Sequence, residues 1–234
     1  MLNIVRRDFT SPESLAQTLA QTVANDLRAA IAARGRALLA VSGGTTPRRF
    51  LTLLSQQELA WKSVIVTLAD ERWVAPADPR SNERLVRETL LCGGASAATF
   101  APLYAAAPSV EESCAKAAAR IVDLGIPFDV VVLGMGTDGH CASLFPGGDR
   151  LDEALDPDSA GLVLPMHAPA APEPRITLTL PALIDTRALY LHIEGPAKKR
   201  TLDASIANET PDAEAPVRAV LRHARVTPVV FWCA

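Results

Sequence analysis

The run Val130-Val131-Val132-Leu133 is apolar without alternation and stops abruptly at Gly134-Met135-Gly136. An uninterrupted β-branched run reads as a strand buried on both faces, so the chain must supply a covering layer on each side of it. The same signature recurs upstream. Ala37 to Val41 runs into Ser42-Gly43-Gly44-Thr45-Thr46-Pro47, and Val64 to Leu68 runs into Ala69-Asp70-Glu71-Arg72. Helical patterns fill the gaps. Ser11-Pro12-Glu13 is a helix start, and Leu15, Leu19, Val23, Leu27 and Ile31 form a stripe at every fourth residue before Gly35. Strands alternating with helices predict an α/β fold built on a mostly parallel sheet covered on both faces.

The remaining elements follow the same rules. A first strand is expected at Ile4-Val5, and helices over Ser81 to Leu91, Ser109 to Leu124 and from Pro216. A short strand is expected at Val163-Leu164-Pro165, an alternating one over Arg175 to Leu180, and others over Ala188 to Ile193 and Pro228 to Cys233. Ala142 to Phe145 reads as a short helical turn, Leu151 to Ser159 as an acidic loop, and Pro169 to Pro174 as a loop. No Ser/Gly/Pro-rich linker divides the 234 residues, so residues 1–234 are expected to form one domain.

Composition narrows the partners. A net charge of −3 does not suit a phosphate-coated polymer, so no nucleic-acid partner is expected. No apolar run reaches the roughly 18 residues of a membrane span. The opening MLNIVRRDFT lacks the apolar stretch of about 7–15 residues that marks a signal peptide. Cys92, Cys114, Cys141 and Cys233 are scattered and form no C-x-x-C pair. Reduced thiols, a cytoplasmic location and neither metal nor cofactor are the expectations.

The polar motifs fall after strands, and in a parallel sheet those loops collect at one edge where ligands bind. Ser42, Gly43, Gly44 and Thr45 form a candidate phosphate cradle, in which glycines free backbone N–H groups and the next helix offers its positive end. Arg175 and Lys198 are candidates to add full positive charge to the same anion. His140 lies in a glycine turn beside Asp138, as a general base near neutral pH would, with Asp70 or Asp138 to orient it. Gly134 to Gly139 formally matches the G-x-G-x-x-G dinucleotide fingerprint, but Pro146 leaves too little room for the helix that fingerprint requires. No G-x-S-x-G elbow offers a nucleophilic serine.

Taken together, these motifs resemble the 6-phosphogluconolactonase family from about residue 40 to residue 200. The resemblance is carried by Ser42 to Pro47, Ala69 to Arg72, Ser81-Asn82, the stretch Gly134 to Pro146, Arg175-Ile176-Thr177 and Gly195-x-Ala197-Lys198. It implies a three-layer α/β/α sandwich of the sugar-phosphate isomerase-like, Rossmann-like kind. It also implies hydrolysis of 6-phospho-D-glucono-1,5-lactone in the pentose phosphate pathway. The expected partner is that phosphorylated lactone, with the chain a monomer or weak homodimer. Related glucosamine-6-phosphate deaminases resemble the chain up to the histidine but carry glutamate where Phe145 stands and tyrosine where Arg72 stands. Both differences favour the lactonase over the deaminase. Sugar-phosphate-sensing modules of the same fold are a further alternative, disfavoured by the fold beginning near residue 1. Position 141 departs from the family pattern, with Cys141 where threonine is common. The expected roles are phosphate binding by Ser42 to Thr45, Arg175 and Lys198, proton transfer by His140, and oxyanion stabilisation by Arg72 with backbone N–H groups.

Overall fold

The computed structural model describes residues 2–207 and 211–234. Strands β1 (Val5–Phe9), β2 (Ala37–Val41), β3 (Val64–Leu68), β5 (Thr99–Phe100), β6 (Val130–Leu133), β9 (Leu189–Glu194) and β10 (Val229–Cys233) form one sheet. It has seven strands in the order β1-β10-β9-β6-β2-β3-β5, every neighbouring pair parallel. β2 and β6 are buried along their whole length, as unbroken apolar runs require.

The helices are α1 (Pro12–Arg34), α2 (Arg48–Ser55), α3 (Asn82–Thr89), α4 (Val110–Leu124), α5 (Leu151–Leu155), α6 (Leu180–Ile184), α7 (Pro196–Ile206) and α8 (Pro216–His223). They flank the sheet: α1, α2 and α3 pack in succession, as do α6, α8 and α7. α1 shows why its boundaries fall where they do. The Ser11 side chain accepts from the Ser14 amide, Pro12 supplies a fixed φ in the first turn, and Gly35 closes the helix at φ 74°. Leu15, Leu19, Val23 and Leu27 are completely buried, so the four-residue stripe is the face that meets the sheet. No described helix is long and apolar enough to cross a membrane.

Apart from the edge strand β5, which the sequence reading left unassigned, the structure departs from that reading mainly around one small second sheet. Asp70 to Arg72 is not a loop but a strand, β4 (Asp70–Arg72). It joins β8 (Ala171–Leu178) and β7 (Val163–Ala168) in a separate three-stranded antiparallel sheet. Residues 169–174, expected as a loop, are mostly the start of β8. The prolines there are tolerated because Pro172 and Pro174 lie beyond the β4 ladder, which begins at Arg175. The alternating pattern ends earlier than expected, at Leu178, because Pro181 at the start of α6 favours a new helix. Leu151–Leu155, expected as loop, forms α5 by burying Leu151 and Ala154. Ala142–Phe145 is no helical turn; Cys141 and Leu144 bridge in antiparallel fashion, and Ala142 takes φ 48°.

Candidate active site

The carboxyl ends of β2, β3, β6 and β9 open at one edge of the parallel sheet, and the turn after β6 builds the reactive group. The Gly136 amide donates to the His140 carbonyl at 2.9 Å, and the Gly139 amide donates to the Gly136 carbonyl at 3.2 Å. Gly139 sits at φ 83°, which a side chain would resist. This closed loop sets Asp138 beside His140, with Asp138 Oδ1 2.6 Å from His140 Nδ1 and 3.2 Å from the His140 amide nitrogen. A carboxylate on Nδ1 assigns the proton there and leaves Nε2 as the acceptor. The hydrogen bond from His140 holds the Asp138 carboxyl below its ordinary range, against an opposing contribution from partial burial. Asp138 thus stays ionised opposite the imidazole.

His140 faces a cavity of about 340 Å³ that Ser42, Gly43, Gly44, Thr45, Asp70, Arg72, Arg175 and Lys198 also line. Asp138 lies behind His140 and is not part of the wall. On one side the β2 loop is tied to the β6 turn, since Ser42 Oγ accepts from the Gly134 amide at 3.2 Å. Among the described residues, the amides of Gly43, Gly44, Thr45 and Thr46 donate to no backbone acceptor. Open amides of this kind, just ahead of α2, form an anion-binding concavity. Lys198, in the first turn of α7, reaches Thr46 Oγ1 at 3.4 Å, and burial pushes its pKa below the ordinary lysine range.

On the other side, the β4–β8 ladder sets Arg72 directly opposite Arg175. Like charges in that relation are unfavourable without an anion to share. Among the described residues the buried Nε atoms of both have no partner, and burial lowers the Arg175 pKa, with Asp70 pulling the other way. Arg72 Nη1 donates to the Arg80 carbonyl. Phe145 stands between the cation and the base. Its ring centroid is 4.5 Å from that of His140, and the Arg175 guanidinium carbon is 5.7 Å from the same ring. Asp70 is engaged elsewhere than on His140: its Oδ2 accepts from Ser143 Oγ at 2.6 Å. Of the two carboxylates expected to orient the histidine, Asp138 is the one in contact with it.

A histidine hydrogen-bonded to a carboxylate, a cradle of free amides and three cations around one cavity suit a neutral electrophile carrying a phosphate. Known proteins point the same way. The family described as glucosamine-6-phosphate isomerases/6-phosphogluconolactonase matches residues 10–231. The chain belongs to this family. It is 53% identical to a 6-phosphogluconolactonase of Rhizobium meliloti (strain 1021), over 96% of each chain. It is 50% identical to a 6-phosphogluconolactonase of Mesorhizobium japonicum, over 96% of this chain and 93% of the relative. A solved 6-phosphogluconolactonase from Shewanella baltica OS155 superposes with a TM-score of 0.94 at 42% identity, covering 99% of this chain and 98% of that one.

Within this member of the isomerase/lactonase family, Asn82 and Ser143 were given no role in the site by the sequence reading, and Gly136 was read only as part of the tight turn. Asn82 lines the cavity and donates to the Asp70 carbonyl at 2.9 Å. It packs so closely on the β2 loop that a Cβ at Gly43 would lie 1.9 Å from Asn82 Oδ1. Ser143 joins Asp70 to β8, its amide donating to Thr177 Oγ1 at 3.2 Å. Gly136 gives His140 its room. The signal for the first two was present in the Ser81-Asn82 and Ala142-Ser143 pairs, but polar residues at such places look like ordinary caps. Cys141, adjacent to the base, is fully buried, and burial pushes its thiol up, so it is an unreactive core residue.

Proposed function

We propose that the chain hydrolyses 6-phospho-D-glucono-1,5-lactone to 6-phospho-D-gluconate, the lactonase step of the pentose phosphate pathway. The observation that carries this reading is His140, backed by Asp138, facing a cavity whose wall also holds Arg72, Arg175, Lys198 and the open amides of the β2 loop. The β2 loop, Arg175 and Lys198 hold the phosphate and so fix the lactone ring. His140 Nε2 takes a proton from water as its oxygen attacks the lactone carbonyl carbon. The tetrahedral oxyanion is stabilised by Arg72 and backbone N–H groups. When the bond from that carbon to the ring oxygen breaks, His140 returns the proton to the ring oxygen, and the new acid ionises. Asp138 keeps the imidazole in the required tautomer and stabilises its protonated form. Asp70 acts at one remove, through Ser143 and the β4 backbone.

Phe145 bears on the alternative. It occupies the wall beside His140 and has no group able to move a proton, so sugar-ring opening of the deaminase kind lacks a participant. Residues 1–234 are taken to work as one cytoplasmic domain, as a monomer or weak homodimer that sedimentation equilibrium would distinguish. The decisive assay follows freshly made phosphorylated lactone, corrected for spontaneous hydrolysis. His140→Ala is expected to lose ~10²–10⁴-fold in kcat, the usual contribution of a positioned general base. Wild-type activity in that variant would remove the assignment, and ammonia release from glucosamine 6-phosphate by the wild-type protein would favour the deaminase instead.

A further inference from the structure

Arg175 is the most deeply buried cation of the cavity, its side chain only 9% exposed, and it shares a carboxylate with a residue outside the site. Glu173 lies two residues before it on β8 and therefore projects to the same side of the strand. One Glu173 oxygen, Oε2, is 3.6 Å from Arg175 Nη2, and the other, Oε1, accepts from Arg80 Nη1. Arg80 is different in kind. Its side chain is 56% exposed, and it has a second partner in Asp78, whose Oδ2 lies 3.0 Å from Arg80 Nη2. The hydrogen bonds from Arg80 hold the Asp78 carboxyl down at about 2, so that partner stays charged through the neutral range. Among the described residues Glu173 is the carboxylate within ion-pair distance of Arg175, while Asp70 attracts it from farther off. Its Nε has no partner among the described residues, and Arg72 faces it across the ladder.

We propose that Glu173 is the resident counter-ion of Arg175, neutralising it between turnovers and passing fully to Arg80 when the anionic end of the substrate binds. The inference rests on the reading that the cavity takes a phosphorylated ligand. Glu173 is a positioning residue in this scheme, since it acts through Arg175 and does not line the cavity. With one oxygen on each guanidinium, and a distance to Arg175 longer than a hydrogen bond, Glu173 can be displaced from Arg175 while kept by Arg80. A buried guanidinium left without any counter-ion would be costly, whereas one fully paired would refuse the ligand. Sharing Glu173 avoids both extremes. It also sets anion affinity below the maximum, which helps a product that carries one more negative charge than the substrate to leave.

The test is binding of 6-phosphogluconate by calorimetry, together with steady-state hydrolysis. Glu173→Gln removes the competing charge at nearly constant shape, so the Kd is expected to fall about three- to tenfold, with KM falling in parallel. Arg80→Ala frees Glu173 to pair with Arg175 alone, and the Kd is expected to rise about threefold. The double variant should follow Glu173→Gln. A merely structural tether predicts the opposite for Glu173→Gln, a weaker Kd and a higher KM. That result, an unchanged Kd, or tighter binding in Arg80→Ala would overturn the proposal. If Glu173→Gln does not fold, Arg80→Ala decides alone: a raised Kd supports the counter-ion, and an unchanged or lowered one removes it. Wild-type protein that binds 6-phosphogluconate but turns over no lactone would sink the proposed function, while the affinity order of the variants would still judge Glu173.

Discussion

Gly136 shows how a residue without a side chain can decide the chemistry of its neighbours. A Cβ there would lie 2.3 Å from both Cε1 and Nδ1 of His140 and 2.4 Å from Asp138 Oδ1. These contacts are far inside van der Waals range, so the ring and the carboxylate would have to move apart. The backbone itself would accept alanine, since Gly136 is not among the glycines with positive φ. Gly136→Ala should therefore leave the fold nearly intact and damage the base selectively. Displacement of a catalytic group by about 1 Å costs ~10²-fold in rate, and a loss in kcat of that order is expected with little change in Tm. Circular dichroism melts beside the lactone assay would check both halves, and a variant with normal kcat would show that the His140–Asp138 contact is dispensable. Gly139 is a poorer probe. Its positive φ and a neighbouring Ala215 Cα at 3.0 Å from the added Cβ would disturb the whole turn.

Elements explain which parts of the site were legible in the sequence. The loops after β2, β6 and β9 were readable because each follows an apolar run, and polar or glycine residues at the end of such a run have no packing reason to be there. The antiparallel sheet of β4, β7 and β8 was not readable as a unit. β4 is only three residues long, and prolines in β8 imitate a loop. Yet that sheet brings Arg175 opposite Arg72, and so carries two of the cavity's three cations. Its anchor is Glu71, completely buried, which accepts from the amides of Arg72, Asn82 and Glu83, each at 2.7 Å, and from Ser81 Oγ at 3.0 Å. Burial pushes the Glu71 pKa up, and these donors pull it back. One carboxylate thus caps α3, fixes β4 to it and holds Asn82 against the β2 loop. Glu71→Gln would turn an NH₂ group toward donors that need an acceptor. A loss of about 1–3 kcal/mol in stability is expected from denaturant melts, accompanied by a lower kcat/KM because Asn82 and Arg72 shift together. Normal activity in a destabilised variant would confine Glu71 to the fold and separate it from the site.

At the scale of the whole molecule, overall charge and local charge disagree. The chain carries a net charge of −3, so its long-range field does not draw a phosphorylated ligand in. The cavity concentrates Arg72, Arg175 and Lys198 where the sheet, α2, α3 and α7 converge, and attraction is confined to that mouth. Partly buried cations of this kind are screened less than surface charges, but the approach of the ligand through water is screened fully. Salt should therefore act on encounter and binding and spare the chemical step, which involves neutral water, a neutral lactone carbonyl and His140. Raising ionic strength from about 0.01 M to 0.15 M shortens the screening length from roughly 30 Å to 8 Å. Over that range KM is expected to rise several-fold and kcat to stay constant, measured at fixed pH with a salt that is not itself a phosphate mimic. An unphosphorylated lactone, lacking the charged group, should show no such rise. Equal salt dependence for the two substrates would mean that the cations of the cavity serve the oxyanion and not the phosphate.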